Sequence, residues 1–179
     1  MRIISGRFRG LNLAPINCGG VRPTADRVKE SLFNILSAEV SGARVLDLFC
    51  GSGNLGIESL SRGASFVHFN DLSKDSLAVL KKNLSRIKCQ NYAVTNLDYS
   101  ACLSRAGVFD IIFLDPPYKE EYGIDALKII AEGNILNDGG IAVYERDKSF
   151  SGEVDGLEMY DERKYGRTYL SFFKGKHNA

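Results

Sequence analysis

The stretch DIIFLDPPYKEEYG, Asp110 to Gly123, ends an apolar run in a carboxylate, two prolines and an aromatic ring. Residues of those types at that spacing suit the chemistry of amines. Proline fixes φ and lacks an N–H, so Pro116 and Pro117 make a stiff backbone that offers carbonyls and withholds donors. The Asp115 carboxylate and the Pro116 carbonyl are then two adjacent acceptors, with the Tyr118 ring beside them. An exocyclic amine on a purine is a weak nucleophile because its lone pair is delocalised into the ring. Two acceptors, each taking one N–H, turn the nitrogen toward tetrahedral geometry, aim its lone pair and stabilise the positive charge that develops on attack. Tyr118 would stack on the base. A proline-stiffened turn with a capping aspartate is the plainer account of the same residues.

The second chemical signal is VLDLFCGSGNLG, in which Gly51, Gly53 and Gly56 satisfy G-x-G-x-x-G, with Asp71 twenty residues beyond Gly51. That spacing alone allows a dinucleotide, and hence a nicotinamide oxidoreductase. Asp47 argues otherwise, since a carboxylate four residues before the first glycine repels a pyrophosphate and suits a cation. S-adenosyl-L-methionine carries a sulfonium and an ammonium and no phosphate. Asp47 would face the ammonium, Gly51 and Gly53 would let backbone approach the ligand, and Asp71 would hold the ribose hydroxyls. Asp98 is placed either to accept from the adenine amino group or to cap a short helix. Cys50 has no histidine near it in sequence and reads as a small packing residue.

Elements must hold these residues in place. RVLDLF (44–49), SFVHFN (65–70), a weaker run at 92–95, FDIIFL (109–114) and GIAVYE (140–145) read as strands. They alternate with helical patterns: one from Asn54 to a stop at Gly63, one over SKDSLAVLKKNLSRI with Ser73 as N-cap, a short one after Asp98, and one over 122–132. Such alternation predicts a mostly parallel sheet with helices on both faces. LEMYDER (157–163) and RTYLSFFK (167–174), joined by KYG, predict a closing antiparallel hairpin. The head is different: RIISGRFRGLNL reads as a small hairpin, followed by a helix over about Thr24 to Glu39. The expected organisation is one domain over 1–179, with 1–40 as a basic hairpin-and-helix extension.

At 179 residues, 44% hydrophobic and 25% charged, the chain is sized for one core that cofactor and substrate must share. A net charge of +1 does not mark a strongly basic nucleic-acid binder, although Arg2, Arg7 and Arg9 lie in an acid-free head together with Arg22. That head either grips phosphates or is a solvated arginine hairpin. Four scattered cysteines and two histidines suggest neither a metal site nor a disulfide framework. With no signal-like or membrane-length apolar run, a cytoplasmic location is expected.

LDLFCGSGNLGIESLSRGA and FDIIFLDPPY resemble the cofactor and catalytic motifs of class I S-adenosylmethionine-dependent amino-methyltransferases. MRIISGRFRGLNL and RPTADRVKESLFNIL are similar, more narrowly, to the RsmD family, and the likeness runs from Met1 through YGRTYLSFF. The resemblance implies a Rossmann-like methyltransferase fold and methylation of the N2 amine of a guanine in small-subunit (16S) ribosomal RNA, within the subunit and without a metal. It also carries over Arg27, Phe33 and Asn34 as site neighbours. Arg22-Pro23-Thr24 leads into a helix N-terminus that suits an anion, Thr24 serving equally as a cap. Glu145 at a strand end has no assigned role. At Asn70-Asp71-Leu72 the family usually carries glutamate, so the ribose carboxylate is kept here in shortened form. DPPY is shared with DNA adenine-N6 methyltransferases, but an insertion large enough for DNA target recognition is not evident.

Overall fold

The computed structural model describes residues 1–16, 23–117 and 122–176. Along the chain lie α1 (Pro23–Ile35), β1 (Arg44–Asp47), α2 (Asn54–Ser61), β2 (Phe66–Asn70), α3 (Lys74–Leu84) and β3 (Tyr92–Thr95). Then come α4 (Tyr99–Leu103), β4 (Phe109–Leu114), α5 (Tyr122–Glu132), β5 (Leu136–Arg146), β6 (Leu157–Tyr165) and β7 (Thr168–Gly175). They form one sheet in the order β3-β2-β1-β4-β5-β7-β6. Strands β1 to β5 run parallel, and β7 pairs antiparallel with both β5 and β6. The order reverses between β1 and β4, which places a ligand crevice over the carboxyl ends of those strands.

Residues of period two divide the sheet between two cores. Val45, Val67, Phe69, Ile111, Phe113 and Val143 face one side, against α1, α2 and α3. Leu46, Ile112, Leu114, Ala142 and Tyr144 face the other, against α4 and α5. Because β4 is covered on both faces, Ile111 to Leu114 form an unbroken apolar run. Each fully buried side chain of this kind contributes about 1.5–3 kcal/mol of hydrophobic stabilisation. Phe33 of α1 closes the first core against Phe113, ring centroids 5.9 Å apart. Ser73 caps α3, its side chain accepting from the Ser76 amide.

The structure refines several expected boundaries. Strand β1 stops at Asp47, and α1 gives way at Ile35 to turns that carry the chain to Val40. The N-terminal hairpin forms as a short one, with an antiparallel bridge between Arg2 and Asn12 and the Ile3 and Leu13 amides donating across it to the carbonyls of Leu11 and Met1 at 3.0 and 2.9 Å. The amides between its arms go to α2. Ile4 and Ser5 donate to the Glu58 carboxylate at 2.9 and 3.0 Å, and Phe8 donates to the Ser61 hydroxyl at 2.9 Å. Arg7 N donates to the Ser61 carbonyl at 2.8 Å. Helix α2 thus satisfies the stretch between the arms, while the arms satisfy each other. No helix among the described residues is long and apolar enough to cross a membrane.

Candidate active site

Four strands deliver the expected residues to one end of the sheet. After β1 the chain turns back on itself, with Gly53 N donating to the Cys50 carbonyl at 2.7 Å before α2 starts. Gly53 has φ 85°, and a Cβ there would lie 2.4 Å from Leu80 Cδ1, so only glycine fits. Gly56 lets the helix approach β2, since a Cβ would sit 2.2 Å from the Phe69 ring. Asp47 is buried at 2% exposure, and its Oδ2 accepts from the Gly56 amide at 2.9 Å. Burial dominates over that hydrogen bond and pushes its carboxyl up to about 7, with the Asp71 charge adding to the rise.

Asp71, just past β2, has both oxygens oriented by backbone. Gly51 N donates to Oδ2 and Ser73 N to Oδ1, each at 2.8 Å. The strand ends are clamped by Asn70, whose amide donates to the carbonyls of Leu48 at 3.2 Å and Leu97 at 3.1 Å. Its Oδ1 accepts from the Thr95 hydroxyl at 2.8 Å and the Leu97 amide at 3.2 Å. One side chain thus ties the ends of β1, β2 and β3. Asp98 caps α4, accepting from Ser100 N at 2.9 Å and Ser100 Oγ at 2.6 Å, and the Ser100 hydroxyl foremost holds its carboxyl below the usual range. The capping reading of Asp98 therefore holds, while its side chain still lines the crevice.

The crevice consists of two adjoining hollows of about 640 and about 720 Å³ that share Ile16, Phe49, Gly51 and Asp115. Asp47, Lys29, Glu145 and Arg167 line the first. Asp71, Asp98, Tyr99, Pro116 and Tyr122 line the second. Rings of Phe49, Tyr99 and Tyr122 run along its wall, with centroids 5.9 and 5.3 Å apart. Asp115 opens to solvent at the junction, while Pro116 is buried behind it. The protein packed around Asp115, and then the Glu145 and Asp47 carboxylates, push its carboxyl well above the usual range. Cys50 is buried, and burial raises its thiol far from the thiolate form, in keeping with a packing role.

Other expected residues fall elsewhere. Arg2, Arg7 and Arg9 are exposed on the head. Arg2 and Arg9 line a separate hollow of about 650 Å³ in which Arg27 and Arg62 join them, but so do Asp26 and Glu30. The head that is acid-free in sequence is therefore partly neutralised in space. Arg27 and Asn34 sit on the face of α1 turned away from the crevice, and Phe33 is core. These three are not crevice neighbours. Tyr118 and Arg22 lie outside the described residues, as does the Thr24 side chain.

Sequence reading missed a buried ion pair. Lys29 Nζ lies 2.7 Å from the Arg2 carbonyl, 2.8 Å from Asn54 Oδ1 and 3.2 Å from Glu58 Oε2, with the two charged side chains 1% and 0% exposed. Glu58 also takes Arg62 Nε at 2.9 Å. Burial lowers the Lys29 pKa against the pull of Glu58. No cluster of metal-ligating side chains is present among the described residues.

A parallel sheet whose order reverses between β1 and β4, with a glycine turn after the first and an Asp-Pro-Pro corner after the second, defines a Rossmann-like class I methyltransferase. The chain belongs to the RsmD family: the family described as conserved hypothetical protein 95 matches it over residues 1–174. It is 39% identical to ribosomal RNA small subunit methyltransferase D of Haemophilus influenzae, covering 83% of this chain and 79% of that one. It is 38% identical to the YlbH protein of Bacillus subtilis over 97% and 98% of the two chains. Among solved structures, the yhhF protein of Escherichia coli superposes with a TM-score of 0.88 at 30% identity, covering 98% of each chain.

Proposed function

We propose that this protein transfers the methyl group of S-adenosyl-L-methionine to the exocyclic N2 amine of a guanine in small-subunit ribosomal RNA. The observation that carries the reading is the position of Asp115, which lines both a hollow walled by Asp47 and one walled by Asp71, with Pro116 next to it in the second. S-adenosyl-L-methionine, the cofactor of this class, supplies an electrophilic methyl on sulfur when bound. The residues fit it. Asp47 offers a buried carboxylate to its cationic end, the two backbone donors aim Asp71 at its ribose, and the aromatic wall suits its adenine. The Asp115 carboxylate and Pro116 carbonyl accept the two N–H bonds of the target amine and direct its lone pair at the methyl group. The amine becomes acidic only once methylated, so Asp115 acts as an acceptor and not as a strong base. The names of the relatives and the family support ribosomal RNA as substrate, with the exposed arginines of the head as its phosphate contacts.

The test supplies radiolabelled cofactor with naked small-subunit RNA, intact small subunits and duplex DNA, followed by nucleoside analysis. Label is expected in N2-methylguanosine of the RNA. Label confined to N6-methyladenine of DNA would replace the reading with that of a DNA adenine methyltransferase.

A second expectation concerns pH. A cation binds ionised Asp47, whose carboxyl titrates at about 7 in the free protein, so below that pH binding must expel a proton. Cofactor affinity by calorimetry should fall toward tenfold for each unit below about pH 7 and level off above it. A flat profile across that range would remove Asp47 from the cation site.

A further inference from the structure

Glu145 is the penultimate residue of β5 and has no part in the chemistry described so far. Strand β4 pairs in parallel with β5 in a register that sets Leu114 opposite Tyr144. Asp115, the first residue past β4, and Glu145, still paired with Leu170 of β7, therefore stand side by side on chains about 4.8 Å apart. Leu114 and Tyr144 face the α5 side, so the next residues turn to the other face. Both side chains do line the same hollow, against α1. Two carboxylates that line one hollow suit a ligand with adjacent donors, which would relieve the repulsion that helps raise the Asp115 carboxyl. Glu145 is half-buried and engaged within the protein, but a carboxylate has about four acceptor positions and can take a further donor.

Purines differ at this point. Guanine carries N1–H beside its N2 amine, a contiguous run of donors. Adenine carries a lone pair at N1 beside its N6 amine. A pose that keeps the amine on Asp115 and the Pro116 carbonyl and turns position 1 of the ring toward β5 would bring that position to Glu145. We propose that Glu145 is the residue that selects guanine, accepting N1–H from the base whose amine Asp115 and Pro116 hold. Adenine in the same pose brings a lone pair against a carboxylate and is rejected. The assignment rests on the amine-methyltransferase reading above and adds to it the determinant of base choice.

The decisive substrate is small-subunit RNA with 2-aminopurine in place of the target guanine, which keeps the amine but has an acceptor at N1. Wild-type protein is expected to methylate guanine about 100-fold faster, by kcat/KM, than 2-aminopurine. In Glu145→Gln the side-chain amide can donate to N1, so that ratio should shrink at least about tenfold through a slower guanine and a faster 2-aminopurine reaction. Calorimetric cofactor affinity equal to the wild type's shows that the variant is folded. Equal wild-type rates on the two bases, or an unchanged ratio in the folded variant, would overturn the role of Glu145 while leaving N2 methylation intact. Should the variant not fold, the wild-type ratio decides alone. A labelled product other than N2-methylguanosine from wild-type protein would instead overturn the parent reading.

Discussion

Asp115→Ala is expected to cut the rate of methyl transfer by about three orders of magnitude while cofactor affinity stays within about twofold of the parent's. The first figure follows from the role of the residue. Of the two acceptors at the amine, only the carboxylate carries charge, and it faces the positive charge that grows on nitrogen in the transition state. Its interaction with substrate strengthens along the reaction coordinate, which is the condition for an effect on kcat rather than on KM. The second figure follows from the architecture. Asp115 stands at the junction of the hollows, whereas the proposed cofactor contacts, Asp47 and Asp71, lie at the ends of β1 and β2. Single-turnover rates and calorimetry on the same preparation separate the two, and near-parental turnover would sink the acceptor mechanism. A pH profile adds a sign. The raised Asp115 carboxyl must be ionised to accept both N–H and charge, so single-turnover rate in the parent rises with pH through that raised value.

Residues of the proposed site were legible where local pattern and topology coincide. FDIIFL could only be a strand covered on both faces, and a strand in a parallel sheet delivers whatever follows it to the ligand end, so Asp115 and Pro116 were placed correctly from sequence. Asp47 and Asp71 were placed by the same rule together with their spacing from the glycines. What stayed hidden depends on contacts distant in sequence. The head reads as a small hairpin and its arms do pair, but the amides of Ile4, Ser5 and Phe8 between them are taken by Glu58 and Ser61, more than fifty positions away. Arg27 and Asn34 came in with a shared motif, and only the rotation of α1 shows that they face away from the crevice. Asn70 was noticed as a departure from family habit; its neighbour kept the carboxylate, and its own amide clamps three strand ends.

Lys29 shows most sharply how burial escapes a sequence pattern, and it carries the second large expectation. In RVKESLFNIL it occupies an ordinary polar position of an amphipathic helix. In the fold it is 2% exposed, with its three ammonium protons matched by the Arg2 carbonyl, Asn54 Oδ1 and Glu58. Lys29→Met, which keeps the length and apolar stem of the side chain, is expected to destabilise the protein by about 3 kcal/mol in urea or guanidinium unfolding. The estimate is set at the lower end for a broken buried pair because Glu58 keeps Arg62 and two backbone donors. Removing both charges in Lys29→Met with Glu58→Met should recover less than half of the loss, since the amides of Ile4 and Ser5 then lose their acceptor, each worth about 1 kcal/mol or more. Full recovery in the double variant would mean that the pair carries only its own charges. Partial recovery means that it also fastens the arginine-bearing head to the helix that begins at the glycine turn, joining the segment assigned to RNA with the one assigned to cofactor through a single buried carboxylate.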